Sequence, residues 1–457
     1  MSGKSRVLGS VLFASAMLGG GAALAQQSGA PPSDPVHRGE YLARAADCVA
    51  CHTTPGGKPY AGGLGIALPF GTIYSPNITP DKETGIGDWS DDDFVRAVQQ
   101  GIAKDGTHLY PAFPYASYAL MSRDDVLAIK AYLFSLPPVS NKNQPSELKF
   151  PFNQRWAMIG WNMLFLPSKP LANDDTKPPQ WNRGRYLVDA LGHCGECHTP
   201  RGTFEQVDDS QKFAGTVQQG WKAYNITADK QSGLGGWSDD ALRSYLKSGY
   251  APDHSSAGGP MGEVVANSLR YLNDQDIDSM VAYLRTIAPI QNAPAVQAQP
   301  AALKSPPNMA DLGARVFAGE CANCHAWDGT GVQTPQASLL GSRTVNDPEG
   351  TNLVQAVLRG VHYQTNKGDV YMPPFAKGRS TEELAAVVNF VSARFGNGAL
   401  HLTADDVRQR IGPTSQPVGV PGWIMWAVGV VALVIIALII WGLTALFRRP
   451  HRTRAAE

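Results

Sequence analysis

The chain has 457 residues, and its 39 lysines and arginines balance 39 aspartates and glutamates, so the formal net charge is zero. A neutral chain lacks the positive field that nucleic acids and polyanionic substrates require, which excludes both classes of partner. Apolar residues make up 43% of the sequence, which excludes a wholly disordered or collagen-like chain. At about 100–200 residues per domain, the length predicts two to four domains.

The N-terminal residues are typical of a secretory signal peptide. Lys4 and Arg6 precede a short apolar stretch, and small residues follow as far as Ala25. This order of a charged region, an apolar region and an A-x-A site predicts a signal peptide over residues 1–25. An uncleaved anchor is the alternative, but the apolar stretch is short and rich in glycine and alanine.

All six cysteines lie in three C-x-x-C-H strings, which are the attachment signature of c-type haem. Two sulfurs three residues apart reach the two vinyl groups of one porphyrin, and the adjacent histidine lies below the iron. We therefore predict three covalently bound haem c groups. The expected attachment residues are Cys48, Cys51, Cys194, Cys197, Cys321 and Cys324, and the expected iron ligands are His52, His198 and His325.

Zinc binding and thiol redox chemistry are the alternatives for these strings. A zinc site would need two cysteine pairs about 15–20 residues apart, whereas the pairs here lie more than 100 residues apart. A thioredoxin-type motif does not call for the histidine. Haem attachment is therefore favoured over both.

The strings lie in three repeated units. Units one and two share the strings Asn-Ile-Thr and Trp-Ser-Asp-Asp at matching distances, so they are internal duplicates, and unit three is a more distant copy. The predicted bounds are 26–175 for unit one, 176–300 for unit two and 301–400 for unit three.

Each unit is expected to begin and end with a helix, and the two helices are expected to cross closely. A small residue on the first helix and an aromatic on the last would permit this crossing. The small residues are Gly39, Gly184 and Gly313, and the aromatic residues are Tyr132, Tyr283 and Phe390.

The sixth iron ligand of the second and third haems is predicted to be methionine. Met261 and Met372 lie at the same distance after Gly249 and Gly360, in loops beside glycine or proline. A methionine ligand raises the potential of a haem and suits electron transfer, whereas an open position suits ligand chemistry.

Unit one departs from this pattern, because Phe113 stands where the methionine is expected. Met121, just before the expected start of the last helix, is the favoured substitute. Core packing of Met121, ligation by His108 and a five-coordinate iron remain alternatives.

Residues 137–180 are too apolar for a free linker, since they include Trp156, Trp161 and Phe165. We predict that this segment packs between units one and two. A docking surface for a partner is the alternative.

The C-terminal region predicts one transmembrane helix over residues 421–447. No charge occurs from Trp423 to Phe447, and such a helix would be about 37 Å long, enough to cross a bilayer. A buried core helix is the alternative. Arginines follow in 448–457, and positive residues stay on the cytoplasmic side. The sequence thus predicts a linker over 401–420, a cytoplasmic tail, and haem domains in the periplasm anchored to the inner membrane.

These motifs resemble the triple-haem cytochrome c subunit of bacterial membrane-bound dehydrogenase complexes. The strings that carry the resemblance are 184–201 around the second haem signature, 108–115 with the sequence HLYPAFPY, and 371–375 with the sequence YMPPF. Because each core would be built around a haem rather than a sheet, we predict an all-α fold. It consists of three tandem cytochrome c domains plus one C-terminal transmembrane helix.

The resemblance also implies partners. The family serves quinoprotein alcohol dehydrogenases, molybdenum aldehyde dehydrogenases and flavin-dependent sugar or gluconate dehydrogenases. The implied partners are a catalytic subunit with molybdopterin, quinone or flavin, a small iron–sulfur subunit, the inner membrane and ubiquinone. Alcohol-oxidising members usually carry methionine where Phe113 stands, so Phe113 favours the molybdenum type, which acts on aldehydes or N-heterocycles.

The expected function is electron transfer, from a catalytic subunit that oxidises an aldehyde or alcohol to ubiquinone or the respiratory chain. The sequence shows no dinucleotide fingerprint after a strand and no nucleophile elbow. A haem peroxidase acting at an open first haem and a cytochrome subunit of a terminal oxidase are the alternatives.

Overall fold

The computed structural model describes residues 34–293, 308–332 and 334–411, together with Ala437, Ile440 and Trp441. The expected signal peptide, 1–25, lies outside the described residues. Each unit begins with a helix that leads into its C-x-x-C-H string, and each has a long helix near its end.

Unit one uses local sequence signals to start its helices. Asp34 caps the first helix by accepting a hydrogen bond from the His37 amide, and Ser122 caps the last long helix in the same way. Its elements are α1 (Pro35–Ala45), α2 (Cys48–Cys51), β1 (Gly65–Leu68), β2 (Gly71–Tyr74), α3 (Asp91–Gln100), α4 (Tyr115–Tyr118), α5 (Arg123–Ser135), β3 (Glu147–Leu148) and α6 (Ala157–Phe165).

Unit two repeats this order. Ser238 and Asn273 cap its two long helices, at the positions that correspond to Ser90 and Ser122 in unit one. Its elements are α7 (Pro179–Arg185), α8 (Gly195–His198), β4 (Thr216–Gln218), β5 (Trp221–Ala223), α9 (Asp239–Ser248), β6 (Tyr250–Ala251), β7 (Ser255–Ser256), α10 (Pro260–Asn267) and α11 (Asp274–Leu284).

Unit three keeps the helices and has one longer hairpin. Its elements are α12 (Leu312–Val316), α13 (Ala322–His325), α14 (Arg343–Asn346), α15 (Thr351–Arg359), β8 (Val361–Thr365), β9 (Gly368–Met372), α16 (Thr381–Phe395) and α17 (Ala404–Ile411). Val407 of α17 is fully buried, so the apolar packing of unit three extends into the predicted linker.

The predicted close crossing of the first and last helices is confirmed in all three units. A Cβ atom added to Gly39 would lie 1.9 Å from the carbonyl oxygen of Ala128, and one on Gly184 would lie 1.8 Å from that of Ser279. The corresponding distance from Gly313 is 2.3 Å. Only glycine permits so close an approach of the two backbones.

Two apolar cores support these crossings. One continuous core runs through units one and two, and the other fills unit three. Tyr363 lies on β8 of unit three but belongs to the first core, where its side chain is 3% exposed. Unit three therefore inserts an aromatic ring into the core of its neighbour.

The expectation of an all-α fold is wrong. The described residues form four small antiparallel sheets, with strand orders β1-β2-β3, β4-β5, β6-β7 and β8-β9. They form where loops fold back on themselves, after the haem strings for β1–β2 and β4–β5, and after a helix for β6–β7 and β8–β9. At the β4–β5 turn, Gln219 and Gly220 both have positive φ values, as a two-residue hairpin turn requires. Strands of two to five residues are too short to show an alternating pattern in the sequence.

The expected membrane anchor, and with it the inner-membrane location, is not supported. No helix in the described part of the chain is both long enough and apolar enough to cross a bilayer. The longer helices there include α16, with 15 residues, or about 22 Å at 1.5 Å per residue. The predicted span, 421–447, lies outside the described residues except for Ala437, Ile440 and Trp441, which are helical.

Candidate haem-binding sites

Each C-x-x-C-H string forms a short helical turn after the first helix of its unit. In units two and three, a wider π-helical turn joins that helix to the string, over Tyr186–Leu191 and Phe317–Cys321. The first cysteine of every pair is half-buried and the second is exposed, and all six thiols are free. The sulfurs are therefore available for attachment of a porphyrin.

The histidine of each string is oriented by one backbone carbonyl. The ring nitrogen Nδ1 of His52 lies 2.8 Å from the Pro76 oxygen, that of His198 lies 2.6 Å from the Tyr224 oxygen, and that of His325 lies 2.6 Å from the Ala337 oxygen. Because a carbonyl can only accept, Nδ1 carries the proton in each ring. Nε2 is then the nitrogen with a lone pair for a metal.

Burial acts in the same direction as this hydrogen bond. It lowers the pKa of His52, His198 and His325, so the neutral imidazole is favoured. A neutral imidazole with Nδ1 held by a carbonyl is the form that binds iron. With two free thiols beside it, the donor set of every unit fits a covalently bound haem.

The three methionines predicted as sixth ligands lie in different surroundings. Met121 is fully buried before α5, and its carbonyl oxygen accepts a hydrogen bond from Gln99 Nε2 at 2.8 Å. Met261 is half-buried in the first turn of α10, and Met372 is half-buried at the end of β9. Ligation by these residues stays a prediction.

The position of the missing methionine in unit one is filled by an aromatic cluster. The Phe113 ring lies 6.4 Å from the Tyr115 ring and 5.5 Å from the Tyr118 ring, measured between centroids. The Tyr118 hydroxyl donates to the Ala46 carbonyl, close to the first string. His108, the other candidate ligand, has a buried Nδ1 without a hydrogen-bond partner.

The apolar segment 137–180 packs between units one and two, as predicted, and it also exposes an apolar face. Trp161 stacks edge-on against Tyr115 of unit one and donates from Nε1 to the Phe204 carbonyl of unit two at 3.0 Å. Met163 and Leu164 are 83% and 73% exposed. One face of the segment therefore contacts units one and two, and its opposite face is exposed.

A reciprocal contact between units one and two was not predicted from the sequence. The Tyr41 hydroxyl of unit one donates to Asp276 of unit two at 2.6 Å, and the Tyr186 hydroxyl of unit two donates to Asp125 of unit one at 2.5 Å. Each aspartate also pairs with an arginine of its own unit, Arg38 or Arg183. The sequence signal for this contact was the repetition of the strings around Tyr41 and Tyr186, which places the two tyrosines at equivalent positions of units one and two.

This contact brings the first two strings together. A negative charge on the Cys197 sulfur raises the pKa of Cys51, after the larger effects of burial and of Asp47, and that pKa is about 11. His193, directly before Cys194, is buried against Tyr118 of unit one, with the two ring centroids 5.6 Å apart. The candidate sites of units one and two are therefore neighbours.

Comparison with known proteins was consistent with this geometry. A family model described as cytochrome c matches residues 36–137, 182–288 and 310–394. Each match lies within one of the three units.

Relatives match over most of the chain. The chain is 41% identical over 396 residues to the gluconate 2-dehydrogenase cytochrome c subunit of Pantoea cypripedii, covering 81% of this chain and 88% of the relative. It is 38% identical over 403 residues to the cytochrome c subunit of the alcohol dehydrogenase (quinone) of Gluconobacter oxydans, covering 85% and 84%. It is also 40% identical over 363 residues to a subunit of the nicotinate dehydrogenase of Pseudomonas putida, covering 79% of this chain and 30% of that longer protein.

Proposed function

The chain belongs to the cytochrome c family, and on that basis we propose that it is the electron-transfer subunit of a dehydrogenase complex, with one haem c in each unit. The observation that carries the proposal is the threefold repetition of one donor set. In all three units, a histidine with Nδ1 held by a carbonyl follows two free thiols, and this histidine is buried in unit one and half-buried in units two and three. The relatives, named as subunits of dehydrogenases, favour electron transfer over a peroxidase or an oxidase subunit.

The protein supplies position and environment for this function. Haem c, when bound, supplies an iron that accepts and releases one electron. The two thiols fix the porphyrin in the chain, and the carbonyls of Pro76, Tyr224 and Ala337 fix the plane of each imidazole. The contact between Asp125 and Tyr186 holds units one and two together, which shortens the distance that an electron must cross.

Met261 and Met372 are proposed as the sixth ligands in units two and three, and Met121 in unit one. Met261 and Met372 lie on neighbouring elements, since α10 packs against β8 and Val361 of β8 pairs with Met372 of β9. A thioether ligand would keep the potential of each haem high enough to accept an electron from a dehydrogenase.

The proposed partner is a catalytic dehydrogenase subunit. The relatives act with gluconate, alcohol and nicotinate dehydrogenases at similar identity. Phe113 favours a molybdenum enzyme, with a small iron–sulfur subunit, as the donor. The word quinone in the name of one relative supports ubiquinone as the acceptor.

Co-purification tests this proposal. The full chain with an affinity tag is isolated under mild detergent, its companions are identified by mass, and its haem content is measured per chain. Ethanol, acetaldehyde, gluconate or nicotinate is then added while the reduced-haem bands are recorded. We expect three haems per chain, a large catalytic subunit, and haem reduction by one of these substrates.

A variant controls for non-specific reduction. Cys194→Ser with Cys197→Ser should remove one haem and leave the other two attached. If the wild-type chain carries no haem, or if it is isolated with a catalytic subunit whose substrate leaves the haems oxidised, the proposal is wrong.

A further inference from the structure

We propose that unit three completes the haem site of unit two, with Arg343 as a positioning residue for His198 and Tyr363 as a positioning residue for Met261. This inference rests on the proposed function, because it concerns the support of one predicted haem. Unit three contacts two parts of the unit-two site. One is Tyr224, which orients His198, and the other is the backbone around Met261.

The first contact acts on the histidine side. The Tyr224 carbonyl orients His198 at 2.6 Å, and the Tyr224 side chain contacts two residues of unit three. The Arg343 guanidinium lies 4.4 Å from the Tyr224 ring centroid, and the Tyr224 hydroxyl donates to Asp347 at 3.3 Å. The residue that fixes the imidazole is therefore fixed in turn by its neighbouring unit.

Arg343 also closes the loop that follows Tyr224. Its guanidinium donates to the carbonyls of Asn225 and Ser232, and its own amide donates to the His254 carbonyl at 2.7 Å. Lys222, two residues before Tyr224, forms an ion pair with the buried Asp347 at 3.1 Å. Arg343, a half-buried cation next to Tyr224, would favour the reduced, less positive form of a haem at this site.

The second contact acts on the methionine side. The Tyr363 ring of β8 covers Gly249, which ends α9, and Gly262, which directly follows Met261. A Cβ atom would lie 2.6 Å from the Tyr363 hydroxyl oxygen at Gly249 and 2.8 Å from the ring at Gly262. The hydroxyl donates to the Gly249 carbonyl at 3.3 Å. One side chain from unit three thus packs against both ends of the segment 249–262, which includes Met261 in the first turn of α10.

Unit one also has a tyrosine ring packed on the equivalent glycine. Gly101, the equivalent of Gly249, is covered by the ring of Tyr115, and a Cβ atom there would lie 2.6 Å from that ring. The Tyr115 hydroxyl is held by Asn162 at 2.8 Å. Unit one therefore covers its glycine from its own sequence, whereas unit two takes its cover from unit three.

The test uses the full-length, haem-loaded protein and a potentiometric titration followed by absorption. Tyr363→Ala should lower the potential of one haem and weaken one far-red sulfur-to-iron band. Arg343→Gln should lower the potential of the same haem. A tenfold shift of its redox equilibrium is expected for each, which equals about 59 mV for a one-electron couple.

Two matched controls come from unit three itself. His362→Ala removes a ring that neighbours Tyr363 on the same strand and is 63% exposed. Arg315→Gln removes an exposed arginine that also donates to two backbone carbonyls. Both controls should leave all three haems at their wild-type potentials.

Further variants identify the haem and protect the test against misfolding. Met261→Leu marks the unit-two haem, and the Tyr363 and Arg343 variants should shift the haem that it shifts. If Met261→Leu shifts the potential of no haem, the assignment of Met261 as an iron ligand is wrong. The effect of Tyr363→Ala is then still measured as a shift in the potential of one haem. Tyr363→Leu keeps the core filled if Tyr363→Ala unfolds. The inference is overturned if Tyr363→Leu and Arg343→Gln leave every potential unchanged, or if they shift a different haem.

Discussion

Units one and two share one fold but differ in where their support comes from. In unit one, Tyr115 covers the glycine that ends α3 and is held by Asn162 of α6. In unit two, the same task falls to Tyr363 of unit three. Duplication thus preserved the helices and the haem string, while the packing around the site was solved separately in each copy.

The two units also differ on the side where a backbone carbonyl holds the histidine of the haem string. The Tyr224 side of unit two is packed against Arg343 and Asp347. The corresponding side of unit one, around Tyr74 and Pro76, is a cleft of about 560 Å³ that Lys142 and Arg155 also line. In the described part of the chain, unit two therefore packs against a neighbour on each side, whereas this face of unit one is uncovered.

The largest expected effect comes from the predicted methionine ligands. Met261→Leu and Met372→Leu should each lower the potential of one haem and remove its far-red band, because leucine has no sulfur to bind iron. Met121→Leu tests whether unit one uses a different methionine for the same purpose. The measurement is a redox titration with near-infrared absorption.

Retention of every band and potential in the Met261 and Met372 variants would contradict their assignment. An unchanged first haem in Met121→Leu would mean that His108, or no residue, fills the sixth position of unit one.

The reciprocal contact predicts a large but unequal loss of stability. Asp276→Ala removes the partner of Arg183, whose side chain is 25% exposed, and should cost about 3–5 kcal/mol because a mostly buried charge loses its pair. Asp125→Ala should cost less, because Arg38 is 40% exposed and water can replace the lost partner. Denaturant unfolding measures both.

A matched control is Asp278→Ala, which breaks an ion pair within unit two between Arg243 and Asp278, whose side chains are 41% and 37% exposed. It should change the free energy of unfolding little. Equal losses in the free energy of unfolding for all three variants would show that the contact between the units stabilises the fold no more than an ion pair within one unit.

The hydroxyl groups of Tyr115 and Tyr363 should contribute unequally to the free energy of unfolding. Tyr115→Phe loses a hydrogen bond of 2.8 Å to Asn162 and should cost about 0.5–1.5 kcal/mol. Tyr363→Phe loses a longer bond of 3.3 Å and should cost less, since hydrogen bonds weaken with length. The reverse order in thermal unfolding would mean that ring packing, rather than the hydroxyl, sets the difference.

The smallest expected effect concerns a capping box that is present on α3 of unit one and absent from α9 of unit two. Ser90 and Asp93 form a capping box on α3, whereas Ala241 stands at the equivalent place in α9. Hydrogen bonds from Ser90 lower the pKa of Asp93 below its ordinary value of 3.8. The stabilisation by Asp93 is therefore present above pH 3.8 and is lost as the pH falls through its lowered pKa.

Thermal unfolding of wild type and Asp93→Ala from neutral to acidic pH measures this effect. The variant should unfold at a slightly lower temperature at neutral pH, and the difference should vanish in acid. Ala241→Asp should give unit two a similar small gain. A difference that persists in acid would rule out the carboxylate as its source.

The parts of the molecule that depend on local sequence were predictable. The C-x-x-C-H strings, the close crossing at Gly39, Gly184 and Gly313, and the packing role of Trp161 follow from short motifs or from composition. The hairpins were missed because strands such as Thr216–Gln218 are too short for a periodic pattern.

Contacts between distant parts of the chain could not be derived in this way. Nothing near Tyr363 in the sequence indicates that its ring lies on Gly249, and nothing near Arg343 points to Tyr224. Such pairs are set by the relative placement of whole units, which a single sequence does not encode as a local pattern. The equivalence of Tyr41 and Tyr186 was visible as a repeat, but their exchanged partners were not.

The exchanged pairs Tyr41–Asp276 and Tyr186–Asp125 have the form of an isologous interface, in which each side offers the same patch to the other. In a homodimer with such an interface, one substitution would be present twice, and both halves would have to tolerate it together. Here the two halves are parts of one chain, so a change at Tyr41 leaves the contact at Tyr186 intact. Covalent fusion of two like units therefore allows each half of a symmetric joint to change by itself, and each candidate haem site can acquire properties of its own while the joint holds.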